Sequence, residues 1–188
     1  MKDDTNRYVL GVEEVAEIFK VNSTTVREWA KSGELPAQKV GKQWFFNKQA
    51  ILGLQGERDA LKILGGMKSE DKAYDIFYNG LRVEVKSSAL METGPRGEYW
   101  QFSNFRDKKS DYYLLLGYSK DRKDLIQAFY ISTDKLADII SKIKSSLREP
   151  AFVLKRSDLF FFKEFSIGTN FEEMIQRIKM SAAKKQYE

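Results

Sequence analysis

The residues best equipped for chemistry gather around one tight turn. Asn79-Gly80 separates two runs rich in β-branched and aromatic residues, Ala73 to Tyr78 and Leu81 to Ser87, and is the strongest short-range hairpin signal. A two-residue loop sets the register, so Tyr78 opposes Leu81 and Asp75 opposes Glu84. Alternation then places Ile76, Tyr78, Leu81, Val83 and Val85 on an apolar core face, and Asp75, Phe77, Arg82, Glu84 and Lys86 on the other. Opposed side chains have Cβ atoms about 4.5–5.5 Å apart, where like charges repel. A divalent cation removes that conflict. Two carboxylates, with the Val85 carbonyl of the same strand, make a hard oxygen site suited to Mg²⁺, which keeps several waters and accepts further ligands from a phosphate. Lys86 adds a positive point charge beside Glu84. The competing reading is an ordinary salt-bridged sheet face in which Arg82 and Lys86 pair with the acids. A helix covering that face would bury three charges at considerable cost without a metal.

Composition narrows the alternatives. The 188 residues include no cysteine and no histidine, which excludes disulfides, Cys/His zinc sites, thiol nucleophiles and imidazole bases. Thirty-two Lys and Arg against 27 Asp and Glu give a formal charge of +5, compatible with a polyanionic partner. No apolar run approaches the roughly 20 residues of a membrane span, and MKDDTNRY lacks the apolar region of a signal peptide, so a cytoplasmic protein with no membrane partner is expected.

Apolar spacing at Val12, Val15, Ile18 and Phe19 predicts a first helix. Ser23 is placed to cap a second, with Val26, Trp29 and Ala30 inward and Gly33 ending it. Two short extended pieces around Lys39-Val40-Gly41-Lys42 form a small wing, and Asn47 opens a short third helix. The glycines of Gly53-Leu54-Gln55-Gly56 mark a break, dividing the chain into 1–53 and 54–188. Glu57 to Leu64 reads as a separate helix stopped by Gly65-Gly66. Beyond the hairpin come a loop at Gly94 to Gly97 and strands at Tyr99 to Phe105, Tyr112 to Tyr118 and Leu125 to Ser132, giving four or five strands around one core. Asp134 to Leu147 and Phe171 to Lys185 read as helices, and the aromatic stretch Phe152 to Phe165 is unassigned.

Two helices, a tight turn and a wing are the parts of a helix-turn-helix domain, whose second helix enters the major groove. The run from Val12 to Phe19, then Val21 to Trp29, Ser32-Gly33-Glu34-Leu35-Pro36-Ala37 and Val40-Gly41-Lys42-Gln43-Trp44 resembles the excisionase/MerR-type helix-turn-helix family over about the first fifty residues. Periodicity leaves Thr24, Thr25, Arg27, Glu28 and Lys31 facing outward. Arg27 is the candidate for a bidentate contact to guanine, Thr24 and Thr25 for phosphate or a thymine methyl, and Lys39, Lys42 and Gln43 for contacts from the wing. Trp29 and Trp44 read as core, and the acidic first helix, with Glu13, Glu14 and Glu17, as facing away from DNA.

Asp75 followed by Glu84-x-Lys86 is similar to the signature of the PD-(D/E)XK nuclease superfamily, over about residues 54 to 135. The residue before Asp75 is Tyr74 instead of proline. The resemblance implies a restriction-endonuclease-like α/β core, a mixed sheet flanked by helices, behind the small winged helix-turn-helix domain. It also implies Asp75 and Glu84 as metal ligands, Lys86 as a catalytic lysine, and Glu57 as the acid that many members carry on the preceding helix. Gln101 is a possible accessory that holds a water or phosphate. The activity implied is Mg²⁺-dependent, site-specific cleavage of double-stranded DNA by a restriction-type homodimer, with the stretch Leu159 to Phe162 and the terminal helix as dimer surface or as core. A nicking or repair nuclease differs only in substrate. The alternative from another class is a transcription regulator or excisionase-like factor whose carboxy-terminal part only dimerises or senses a ligand.

Overall fold

The computed structural model describes residues 9–71, 74–94, 97–103, 105, 109–143, 151–168 and 170–185. Several expectations therefore fall outside the described residues: the opening octapeptide, the strand start at Ala73, Pro95-Arg96 of the loop, and 144–147 of the helix after Asp134. The chain divides into two compact units at Gln55/Gly56. Among the described residues no helix is long and apolar enough to cross a membrane.

The first unit contains β1 (Val9–Leu10), α1 (Val12–Phe19), α2 (Ser23–Ser32), β2 (Ala37–Val40), β3 (Gln43–Asn47) and the first half of α3 (Lys48–Leu64). Val15, Val26, Phe46 and Ile51 are fully buried in its core, with Trp29 and Trp44 packed against it. Lys20 takes a left-handed conformation (φ 55°) between α1 and α2, and Gly33 ends α2 at φ 83°. The cap of α2 is Asn22, not Ser23: its Oδ1 accepts from the Thr25 N–H at 2.8 Å, a bond worth about 1 kcal/mol. The strands form a three-stranded sheet in the order β1-β3-β2. Asn47 caps α3 through the Gln49 and Ala50 N–H groups.

The division of the chain falls within the expected stretch Gly53 to Gly56, but the helix is not interrupted there. One helix, α3, runs from Lys48 to Leu64, so Glu57 lies in its middle. Gly56 is there for clearance: a Cβ at that position would stand 2.8 Å from Ser87 Cβ. Glycine stops a helix only where the backbone turns left-handed, as Gly65 does at φ 68°.

The second unit holds a six-stranded sheet in the order β12-β10-β9-β6-β5-β4, built from β4 (Met67–Lys68), β5 (Ile76–Tyr78), β6 (Leu81–Ala89), β9 (Tyr112–Tyr118), β10 (Leu125–Ser132) and β12 (Ser166–Gly168). A separate three-stranded sheet, β11-β8-β7, comprises β7 (Met91–Thr93), β8 (Gly97–Ser103) and β11 (Ala151–Lys155). The four or five expected strands sharing one core are thus two sheets. Pairing is antiparallel except between β6 and β9, which run parallel with Glu84 beside Tyr113 and Lys86 beside Leu115. Helix α4 (Thr133–Lys142), a 3₁₀ segment (Arg156–Phe165) and α5 (Phe171–Lys185) complete the unit. The architecture is a mixed sheet with helices.

One face of the large sheet carries Val83, Val85 and Ser87, with Gly56 of α3 against Ser87. Tyr118 donates its hydroxyl to Asp59 Oδ2 of α3 at 2.7 Å. The other face, which bears Tyr113, Leu115, Phe129 and Ile131, packs on Trp100, Phe102, Phe152, Leu154, α4 and Phe162. The second sheet therefore contributes much of the cover that a helix alone was expected to give. Leu159 to Phe162 is divided: Phe162 is fully buried, whereas Phe160 is 78% exposed.

Candidate functional site

In the first unit the outward face of α2 is displayed as expected: Thr24, Arg27 and Lys31 are exposed, as are Lys39, Lys42 and Gln43 of the wing. Thr25 is half-buried, and its hydroxyl donates to Asn22 Oδ1 at 3.0 Å, so it serves the cap of its own helix. Lys39 lies over the Trp44 ring, 5.6 Å from its centroid, which orients the wing lysine. Arg27 Nη2 donates to Glu13 Oε1 at 3.0 Å. Glu13 therefore does not face away from the recognition helix; it lies against the arginine expected to read a base.

In the second unit the hairpin closes as its spelling requires. Asn79 and Gly80 both adopt positive φ, and Ile76, Phe77 and Tyr78 pair with Val83, Arg82 and Leu81. The regular ladder stops there. Asp75 donates its N–H to the Val83 carbonyl at 3.1 Å, the carbonyl of the residue paired with Ile76, while its own carbonyl accepts from Ser69 N–H at 2.9 Å. Direct opposition of Asp75 and Glu84 is thereby corrected. The Asp75 carboxylate instead reaches along β6, where Oδ2 accepts the Val85 N–H at 2.7 Å.

Glu84 is only 1% exposed and Lys86 13%; Lys86 Nζ donates to Glu84 Oε1 at 2.6 Å. Their burial follows from β6 being an interior strand between β5 and β9. Phe105 is 5.9 Å from Lys86 Nζ at its ring centroid and packs on Tyr113 and Phe152. The Glu84–Lys86 pair is thus shielded, where a charge pair is stronger and removal of either partner costs more.

Glu57 of α3 is engaged with Lys68 at 2.9 Å, and Lys68 pairs with Ile76, the neighbour of Asp75. Gln101 is linked to β6 by its backbone N–H, which donates to Ser88 Oγ at 3.0 Å. Alternation along β8 sends its side chain away from the face that carries Trp100 and Phe102. Among the described residues no group of three or more acidic side chains gathers as a metal site. The donors at hand are the two carboxylates and the Val85 carbonyl, all hard oxygen, the donor type that would suit Mg²⁺. Two carboxylates against one ammonium leave a single net negative charge, which a divalent cation would convert into a single positive one.

Sequence reasoning missed a second charged pair. Asp111, just before β9, accepts from Arg82 Nε at 3.0 Å, Nη2 at 2.8 Å and backbone N–H at 2.8 Å, and returns its own N–H to the Arg82 carbonyl. The hydrogen bonds from Arg82 hold the Asp111 carboxyl down at about 2, well below its ordinary value, and the same bond raises Arg82. This clamp ties the starts of the two parallel strands together. Its signal in sequence was an aspartate directly before the apolar run Tyr112 to Tyr118, but only the β6–β9 pairing identifies Arg82 as its partner.

Residues 9–58 match the profile of a family described as a helix-turn-helix domain. The first unit is accordingly a helix-turn-helix DNA-binding domain. No curated protein matches the chain.

Proposed function

We propose that this protein is a Mg²⁺-dependent DNA endonuclease of restriction type, in which the helix-turn-helix domain selects a sequence and a restriction-endonuclease-like second unit hydrolyses the phosphodiester as a homodimer. The observation that carries this reading is the Asp75 carboxylate on the Val85 N–H, at the peptide that joins it to Glu84 of the buried Glu84–Lys86 pair.

Asp75, Glu84 and the Val85 carbonyl would hold the metal. When bound, Mg²⁺ lowers the pKa of a coordinated water and offsets charge on the phosphate, which supplies the activation that a chain without histidine cannot draw from imidazole. Val85 N–H orients Asp75 and leaves its second carboxylate oxygen for ligation. Lys86, steered by Glu84 and shielded by Phe105, presents its ammonium to the negative charge that develops as water adds to phosphorus. Shielding from bulk water makes that electrostatic contribution larger than it would be on an open surface.

The burial of Glu84 and its existing neutralisation by Lys86 favour one other reading, a DNA-binding regulator whose second unit uses the pair only structurally. Plasmid incubated with the protein in Mg²⁺ and in EDTA separates them. The nuclease gives discrete fragments with Mg²⁺ alone, and Asp75→Asn, which can still accept the Val85 N–H, keeps the gel shift and loses cleavage. Intact supercoils with a retained gel shift would establish the regulator, and Asp75→Asn cutting at the wild-type rate would overturn the assigned site.

A further inference from the structure

The 3₁₀ segment presents two adjacent phenylalanines to solvent, Phe160 at 78% and Phe161 at 42% exposure. The segment beneath them is anchored. Phe162 is fully buried, 5.1 Å from Phe129 and stacked 6.2 Å from Phe152. Phe160 is therefore held outward by a packed neighbour. It stands between two clefts, one of about 710 Å³ that reaches α4 and one of about 300 Å³ towards Gln127 and Ser166, and Lys163 lines both. The larger cleft also carries Lys135, the Lys142–Asp138 pair at 2.7 Å, and Glu164. With that pair neutral, Lys135 and Lys163 outweigh Glu164 by one positive charge. The smaller cleft is lined by Phe129 and Leu159 and by Gln127 and Ser166, where Gln127 Nε2 donates to Ser166 Oγ at 3.0 Å.

We propose that Phe160, flanked by Lys163 and Lys135, is a stacking platform for an unpaired base of single-stranded DNA. An exposed aromatic face beside lysines is the combination that binds single strands, because every base has a π-face and every nucleotide a phosphate. Lys163 and Lys135 meet the backbone phosphates, while Gln127 and Ser166 offer donors and acceptors to a base edge beside Phe160. A dry contact with a second protein chain is the poorer fit: five of the nine described residues of the larger cleft are charged, whereas interface cores are depleted of charge. The platform shares no residue with Asp75, Glu84 and Lys86 or with the helix-turn-helix domain, so it does not depend on the endonuclease reading.

The test is fluorescence anisotropy of a labelled oligo-dT with the full chain. Phe160→Ala should weaken binding about 5- to 150-fold, the loss of one stacked base. Lys163→Ala should weaken it and lower the slope of log affinity against log salt by about 0.7. The proposal is overturned if wild type does not bind oligo-dT or if Phe160→Ala binds it unchanged. It is also overturned if the only effect of Phe160→Ala is the loss of a dimer in sedimentation.

Discussion

Arg27 is restrained before any DNA arrives. Its fork shares one nitrogen with Glu13, an exposed pair worth about 0–1 kcal/mol by itself. The pair has two effects on recognition: it limits the rotamers of the arginine, and it places a carboxylate next to the surface that phosphates approach. Arg27→Ala should cost a selected duplex about 1–3 kcal/mol while barely changing affinity for random duplex, a contrast measurable by competition titration. Glu13→Gln should act in the opposite sense, tightening binding to random duplex and so reducing the ratio of specific to non-specific affinity. An unchanged ratio would leave Glu13 as surface only. The outward direction of Arg27 was legible from the 3.6-residue period, since Val26 and Ala30 are buried beside it. Its partner was not, because nothing in the local sequence says which residue of α1 lies across from a given residue of α2. Glu84 teaches the same lesson. The hairpin register was readable only as far as the Ile76–Val83 pair; Glu84 lies beyond it, and its burial depends on strands that join only in the folded chain.

Among the elements, α3 shows how a local rule is overridden. Gly53 and Gly56 read alike in sequence, yet a Cβ at Gly53 meets nothing within 4 Å, while one at Gly56 collides with Ser87 Cβ at 2.8 Å. Gly53→Ala should therefore stabilise the protein by about 0.5–1 kcal/mol through helix propensity. Gly56→Ala gains the same propensity but overpacks the helix against β6 at a cost of about 1–3 kcal/mol, so its melting temperature should fall. Ser87→Gly should rescue the second variant and not the first, a coupling that a double-mutant cycle detects. Elements with strong periodicity or a defined turn were legible: α1, α2, the wing, the β5–β6 hairpin, β9 and β10. β4, β7, β11 and β12 were not named, since strands of two to five residues carry too few alternations to show a period. β11 pairs with β8 residue for residue from Ala151–Ser103 to Lys155–Tyr99, a match between distant segments that no local window contains.

At the scale of the whole molecule, the parallel contact between β6 and β9 joins separated segments of the second unit, and Arg82 and Asp111 lock its entrance. Parallel strands need a long crossover, and here the chain between them supplies β7 and β8, so the clamp closes the loop from Arg82 to Asp111. The Asp111 carboxyl sits near 2 in the folded chain against an ordinary value of 3.8. Between those values the unfolded chain takes up the proton more readily, so the stabilisation is fully present above about pH 4 and disappears as pH falls towards 2. Urea unfolding at pH 6, 4, 3 and 2, followed by hydrogen exchange in both units, should show β6 and β9 losing protection in that window. Asp111→Asn should flatten the decline in the second unit while lowering its stability at pH 6, because the guanidinium loses its charged partner. The helix-turn-helix unit should keep its own acid response in the variant. If Asp111→Asn shifted protection equally in both units, the two would unfold as one cooperative body through the shared α3, and the clamp would govern the entire chain.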